Sequence, residues 1–102
     1  MNNIPKKLRA DLAVDPSMRR CILDDEDCIG RVQFHHVWTY AGKQIQERFA
    51  IVPLCAMHHE NEVHFRDQIR ALSLARATEA ELARYPKVDW FQLIERYLLQ
   101  EV

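Results

Sequence analysis

The chain has 102 residues, 48% hydrophobic and 28% charged, the balance of a globular protein rather than of a disordered chain. At this length one compact domain over residues 1–102 is expected, with room for a modest core but not for two independent ones. A formal charge of −1 excludes the strongly basic footprint usual on phosphate and leaves only a local one, where Lys6, Lys7, Arg9, Arg19 and Arg20 precede the acidic run Asp24-Asp25-Glu26-Asp27.

In chain order, Pro5 suits the first turn of a helix, and Leu8, Leu12 and Ala13 supply its apolar stripe until Asp15-Pro16 stops it, which predicts a helix over 5–14. The stretch from Cys21 to Cys28 is polar and reads as a loop. Arg31-Val32-Gln33-Phe34-His35 alternates as a half-buried strand does. Ala41-Gly42 is the only turn signal in the segment that follows, and Phe49-Ala50-Ile51-Val52 reads as a second strand ended by Pro53, giving a hairpin with a long loop. A helix should begin near Cys55 or Ala56, with His58, Glu62 and Val63 within reach of one another. Thr78 with Glu81 has capping-box spacing and Asp89 with Gln92 a related form, so short helices are expected near 79–85 and 90–100, separated by Pro86. The fold class is therefore α+β, with a core over about 18–72 and a helical extension over about 78–102.

No apolar run approaches the roughly 20 residues needed to cross a bilayer, and no secretory signal opens the chain, so the expected location is the cytoplasm and no membrane partner is implied. Three cysteines cannot all pair within one chain, and in a reducing compartment metal ligation is a better use for them. Zinc takes four tetrahedral ligands from thiolate and imidazole. Cys55 and His58 lie three residues apart at a helix start, and Cys21 and Cys28 flank the preceding loop, which together make a candidate Cys3His structural zinc site. Six residues separate Cys21 from Cys28, wider than the usual ligand pair, and buried inert thiols are the alternative for any one cysteine taken alone.

The histidines add a second pattern. His35-His36 and His58-His59 are adjacent pairs, with His64 just after. Neighbours on a strand point to opposite faces, and neighbours on a helix lie about 100° apart, so the two pairs suit two sites better than one. If His58 belongs to the zinc, His59 is left to approach a strand histidine. His64 would be rotated about 140° from His59 on a regular helix, so it is a candidate third ligand only if the helix bulges or ends there.

Cys21, Cys28, Phe34-His35-His36 and Ile51-Val52-Pro53-Leu54-Cys55-Ala56-Met57-His58-His59 resemble the HNH, or ββα-metal, nucleases across about 40 of the 102 residues. The pattern is similar to a phage-encoded variant that includes the Ref-type recombination nucleases. The resemblance implies a zinc-stabilised ββα-metal core with added N- and C-terminal helices. It makes His35 and His59 ligands of a catalytic divalent cation such as Mg2+, Mn2+, Ni2+ or Zn2+, and His36 the general base. It further implies a DNA endonuclease or nickase of phage or prophage origin, with DNA and phage or host recombination or replication proteins as partners. Ala50 occupies the position of an asparagine that often braces the general base in that family.

The bland readings stand beside these. The histidine pairs could be structural neighbours of a zinc site in a catalytically inactive DNA- or protein-binding module. Arg66 and Arg70 could meet phosphate or pair with Asp67 and Glu62. Tyr40, Lys43 and Arg48 could line a substrate groove or simply form a polar loop. Trp90, Phe91, Leu93, Ile94, Tyr97, Leu98 and Leu99 are too many apolar positions for one narrow stripe; most should pack on the core, and a surplus could form a homodimer face.

Overall fold

The computed structural model describes residues 4–99. The protein is a small α+β structure with two antiparallel sheets of two strands each. Helix α1 (Lys6–Ala13) follows Pro5, and the Asp15 carboxylate accepts from the Ser17 N–H at 2.9 Å to cap a short 3-10 turn at Pro16–Met18. Strand β1 (Val32–His36) pairs with β4 (Ile51–Cys55) in a register that sets Val32 opposite Cys55 and His36 opposite Ile51.

Between them lies a second hairpin, β2 (Thr39–Tyr40) and β3 (Lys43–Gln44). Ala41 (φ 52°) and Gly42 (φ 79°) form its two-residue turn, both in the left-handed region that a tight hairpin demands. The long loop expected here is thus itself a hairpin.

Pro53 does not end β4, which runs on to Cys55. The Val37 N–H bonds to the Ala50 carbonyl at 2.9 Å just past the strand end, so by alternation Pro53 sits opposite Phe34 in a non-hydrogen-bonded pair. Its missing N–H faces away from β1, and its carbonyl accepts from the Ile22 N–H at 2.7 Å on the outer side. On an edge proline costs the ladder nothing.

Alternation also assigns the two faces of the sheet. Phe34 and Ile51 pack with Ile4, Leu8, Leu12 and Met18 under α1. Val52 and Leu54, on the other face, pack with Ile69 and Phe65. That second face carries α2 (Ala56–Glu60), a 3-10 turn at Glu62–His64 and α3 (Arg66–Arg76). The helix expected from Cys55 onward is therefore broken: at Asn61 the backbone leaves the helical region, and its side-chain amide bonds to the Met57 carbonyl at 2.8 Å.

A separate aromatic core joins the inner hairpin to the C-terminal helices α4 (Glu79–Ala83) and α5 (Trp90–Tyr97). The expected capping box is present, with Thr78 and Glu81 each accepting from the other's backbone N–H. Trp38, Phe49 and Trp90 meet edge to face, with ring centroids 5.6 and 5.9 Å apart, and the Arg70 guanidinium lies over Trp38 and Tyr97. The Ser73 hydroxyl, fully buried, accepts from Trp38 Nε1 at 2.8 Å and donates to the Phe49 carbonyl at 2.7 Å. Of the apolar surplus on and after α5, Trp90 is buried while Phe91, Leu98 and Leu99 stay exposed. Among the described residues no helix is long and apolar enough to cross a membrane.

Candidate metal centre

Cys21, Cys28, Cys55 and His58 converge, with one ligand atom from each lying within 4.8 Å of all the others. The Cys55 sulfur opens α2, where it accepts from the His58 backbone N–H at 3.5 Å, and one turn of helix brings His58 Nδ1 back to 3.1 Å from it. The loop before β1 supplies the other half. Cys21 and Cys28 bring their sulfurs to 3.5 and 3.6 Å from the same Nδ1. For zinc bonded at about 2.3 Å to sulfur and about 2.05 Å to nitrogen, the tetrahedral S···N edge is about 3.6 Å. Four ligands from the chain, near that spacing and mostly sealed from water, could hold a metal ion in the manner of structural zinc.

Gly30 sets the approach of the two halves. It has φ +93°, and a Cβ on it would stand 2.6 Å from the Ala56 Cβ, so only glycine allows the loop to lie against the start of α2. The Ile29 carbonyl there accepts from the Met57 N–H at 3.1 Å.

The thiols differ electrostatically. Burial pushes Cys28 up to about 12, reinforced by the neighbouring sulfurs of Cys21 and Cys55. Burial also acts to raise Cys55, but hydrogen bonds from the backbone N–H groups of His58 and Ile29 and from the His58 side chain outweigh it and bring the thiol down to about 6. Three thiolates at this spacing repel one another, and a cation among them removes that repulsion. The Asp25 carboxylate lies 3.2 Å from His58 Nε2, off the line of a hydrogen bond, while the ring meets Phe65 edge-on at 4.7 Å.

His35 and His59 come together on the side of the sheet that faces α2, with ring centroids 5.4 Å apart and planes at 76°. His35 is held below the usual imidazole range, first by burial, with the charge of Glu62 opposing and His59 adding to the effect. Glu62 itself is held low, chiefly by the Arg66 guanidinium, which donates to it at 3.0 and 3.3 Å. Arg66 thus pairs with Glu62, while Arg70 donates to the Tyr97 hydroxyl.

His36 points to the opposite face from His35, as strand alternation requires. It is only 8% exposed; its Nε2 lies 2.9 Å from the Gln46 Oε1, and its Nδ1 is sealed without a hydrogen-bond partner. His64 is exposed on the 3-10 turn and shares a surface depression with Asp27, Ile29, Met57 and Asn61. Because α2 ends at Glu60, the rotation expected for His64 on one continuous helix does not apply. Among the described residues the Cys3His set is the one group of three or more such side chains whose ligand atoms converge.

The loop residues split. Tyr40 stacks edge-on against Tyr85, and Arg48 pairs with Glu81 at 2.9 Å, so both serve packing. Ala50 is fully buried and uses its backbone. Sequence reasoning missed Asp25, Gly30 and Gln46. Gly30, two residues past a ligating cysteine, carried a signal; Asp25 was lost among four adjacent acids, and Gln46 had none. No protein-family model, curated protein or solved structure matches this chain.

Proposed function

We propose that the protein is a metal-dependent DNA endonuclease or nickase of HNH type, hydrolysing phosphodiester bonds beside a structural zinc site. The observation that carries this reading is the meeting of His35 from β1 with His59 from α2, one residue beyond the zinc ligand His58. A pair of imidazoles is a competent donor set for a divalent cation. Such a cation, Mg2+, Mn2+, Ni2+ or Zn2+, supplies charge stabilisation for the scissile phosphate and its leaving oxygen. In this reading His35 and His59 would hold the ion, and His36 would take the proton from the attacking water.

A second reading is a zinc-stabilised module that binds DNA or a protein partner without cutting. The burial of His36 favours it, because a base must reach its water. Nicking of supercoiled plasmid with each metal in turn separates the two. The enzyme requires His36→Ala to slow nicking by roughly 10²- to 10⁴-fold with the structural zinc retained. Unchanged activity in that variant rejects the assigned base, and no cleavage by the zinc-loaded wild type with any metal favours the binding module.

A further inference from the structure

The side chain that decides what His36 can do is Gln46, between β3 and the turn leading into β4. Its Oε1 lies 2.9 Å from His36 Nε2, and His36 Nδ1 is buried with no partner. Two proton arrangements are compatible with that contact. In one, Nε2 carries the proton and donates to the amide oxygen, leaving Nδ1 as a bare lone pair. In the other, the Gln46 amide is turned so that its NH2 donates to Nε2, and the proton sits on Nδ1. The second buries an N–H that bonds to nothing, and orphaned buried donors are rarer and costlier than orphaned acceptors. The first arrangement wins on that asymmetry.

We propose that Gln46 is a positioning residue for His36: its amide oxygen fixes the ring and its Nε2–H tautomer, so that Nδ1 is the nitrogen presented as proton acceptor. This rests on the hydrolytic reading above for its catalytic half and on the His36–Gln46 contact alone for its structural half. A wrong tautomer disables a base even where its position is unchanged.

The tautomer is read directly by long-range 1H–15N correlation on the 15N-labelled, zinc-loaded full chain. In its neutral form wild-type His36 should carry the proton at Nε2; protonation at Nδ1, or rapid averaging of the two, overturns the proposal. Gln46→Met, which keeps the length and removes the acceptor, should average the two nitrogen shifts, whereas Gln46→Glu, which keeps an acceptor oxygen, should preserve the wild-type pattern. An unaltered spectrum in Gln46→Met overturns the role given to Gln46. If Gln46→Met loses its zinc or its near-ultraviolet dichroism, Gln46→Thr, too short to reach the ring, replaces it. In plasmid nicking Gln46→Met should lower kcat at least roughly tenfold, short of the roughly 10²- to 10⁴-fold supplied by a whole positioned base, with KM unchanged and rescue by Gln46→Glu. The Nε2–H tautomer without nicking by the wild type under any metal rejects the hydrolytic reading and leaves the pairing standing; nicking with the other tautomer does the reverse.

Discussion

The regions around Cys55 and around Phe49 lie six residues apart on the chain, yet different forces hold them. Around Cys55 the buried apolar side chains are few, Val52, Leu54 and Ile69, and the segments that meet there are joined through four ligands and a loop that has almost no core of its own. Around Phe49, two tryptophans and a tyrosine meet edge to face and pack with Leu74 over a buried serine relay. One region gathers side chains that could coordinate a metal, and the other is organised by burial. The difference implies an asymmetry: losing the metal should bring down both, while damage to the aromatic core should leave the ligands able to bind.

The largest test is Cys55→Ala. Structural zinc in finger peptides contributes about 10–16 kcal/mol of apparent binding energy, as much as the whole stability of a typical small domain, so this variant should lose its zinc and unfold at room temperature. Retained zinc stoichiometry with an unshifted melting curve would show that the site is wrongly assigned. Phe49→Ala comes next, since removing a fully buried phenylalanine should cost about 3–5 kcal/mol. Metal titration in the cold should still give one zinc per chain; if zinc were lost along with the tertiary signal, the two regions would have to be one cooperative unit.

Ser73→Ala should cost about 1–3 kcal/mol, because the Trp38 indole N–H and the Phe49 carbonyl would be left buried without their shared partner. Denaturant unfolding followed by tryptophan fluorescence measures this, and a difference below experimental error would mean that water takes over the relay.

The smallest effect is acid-dependent. Glu81 feels burial, which raises it, but the Thr78 backbone N–H and the Arg48 guanidinium outweigh that and hold its carboxyl below the ordinary 4.5. A depressed folded value means that the stabilisation is present above the ordinary carboxylate range and disappears as pH falls through the folded value. Wild type should therefore melt above Glu81→Gln at neutral pH, with the gap closing below about pH 4. Comparing the two variants cancels whatever acid does at the metal ligands. A gap that stays constant with pH would place the effect in packing rather than charge.

How much of this was legible in the sequence follows the same division. The metal ligands could be read because coordination chemistry restricts residue type and spacing severely, and Cys21, Cys28, Cys55 and His58 do converge. The capping box at Thr78 and Glu81 was readable for a related reason, being local and stereochemical. Pro53 misled because an edge position, which excuses a proline inside a strand, is a property of the sheet and not of the strand. The end of α2 at Glu60 was invisible in the spacing of His58, Glu62 and Val63, since periodicity registers a continuing apolar face and not the backbone turn at Asn61 that interrupts it. Gln46 and Asp25 lie against histidines that are distant in sequence, and nothing in their own neighbourhoods marks them.

The bond from Ile22 to the Pro53 carbonyl has a bearing on how the protein survives while it is empty of metal. A two-stranded ribbon offers its outer rims to any other extended chain, and here one rim is interrupted by an imino acid and occupied by the loop that carries Cys21. If an ion ties that loop in place, its removal should free the loop and bare the rim, with Pro53 as its remaining guard. Solubility during maturation would then depend on how quickly metal arrives.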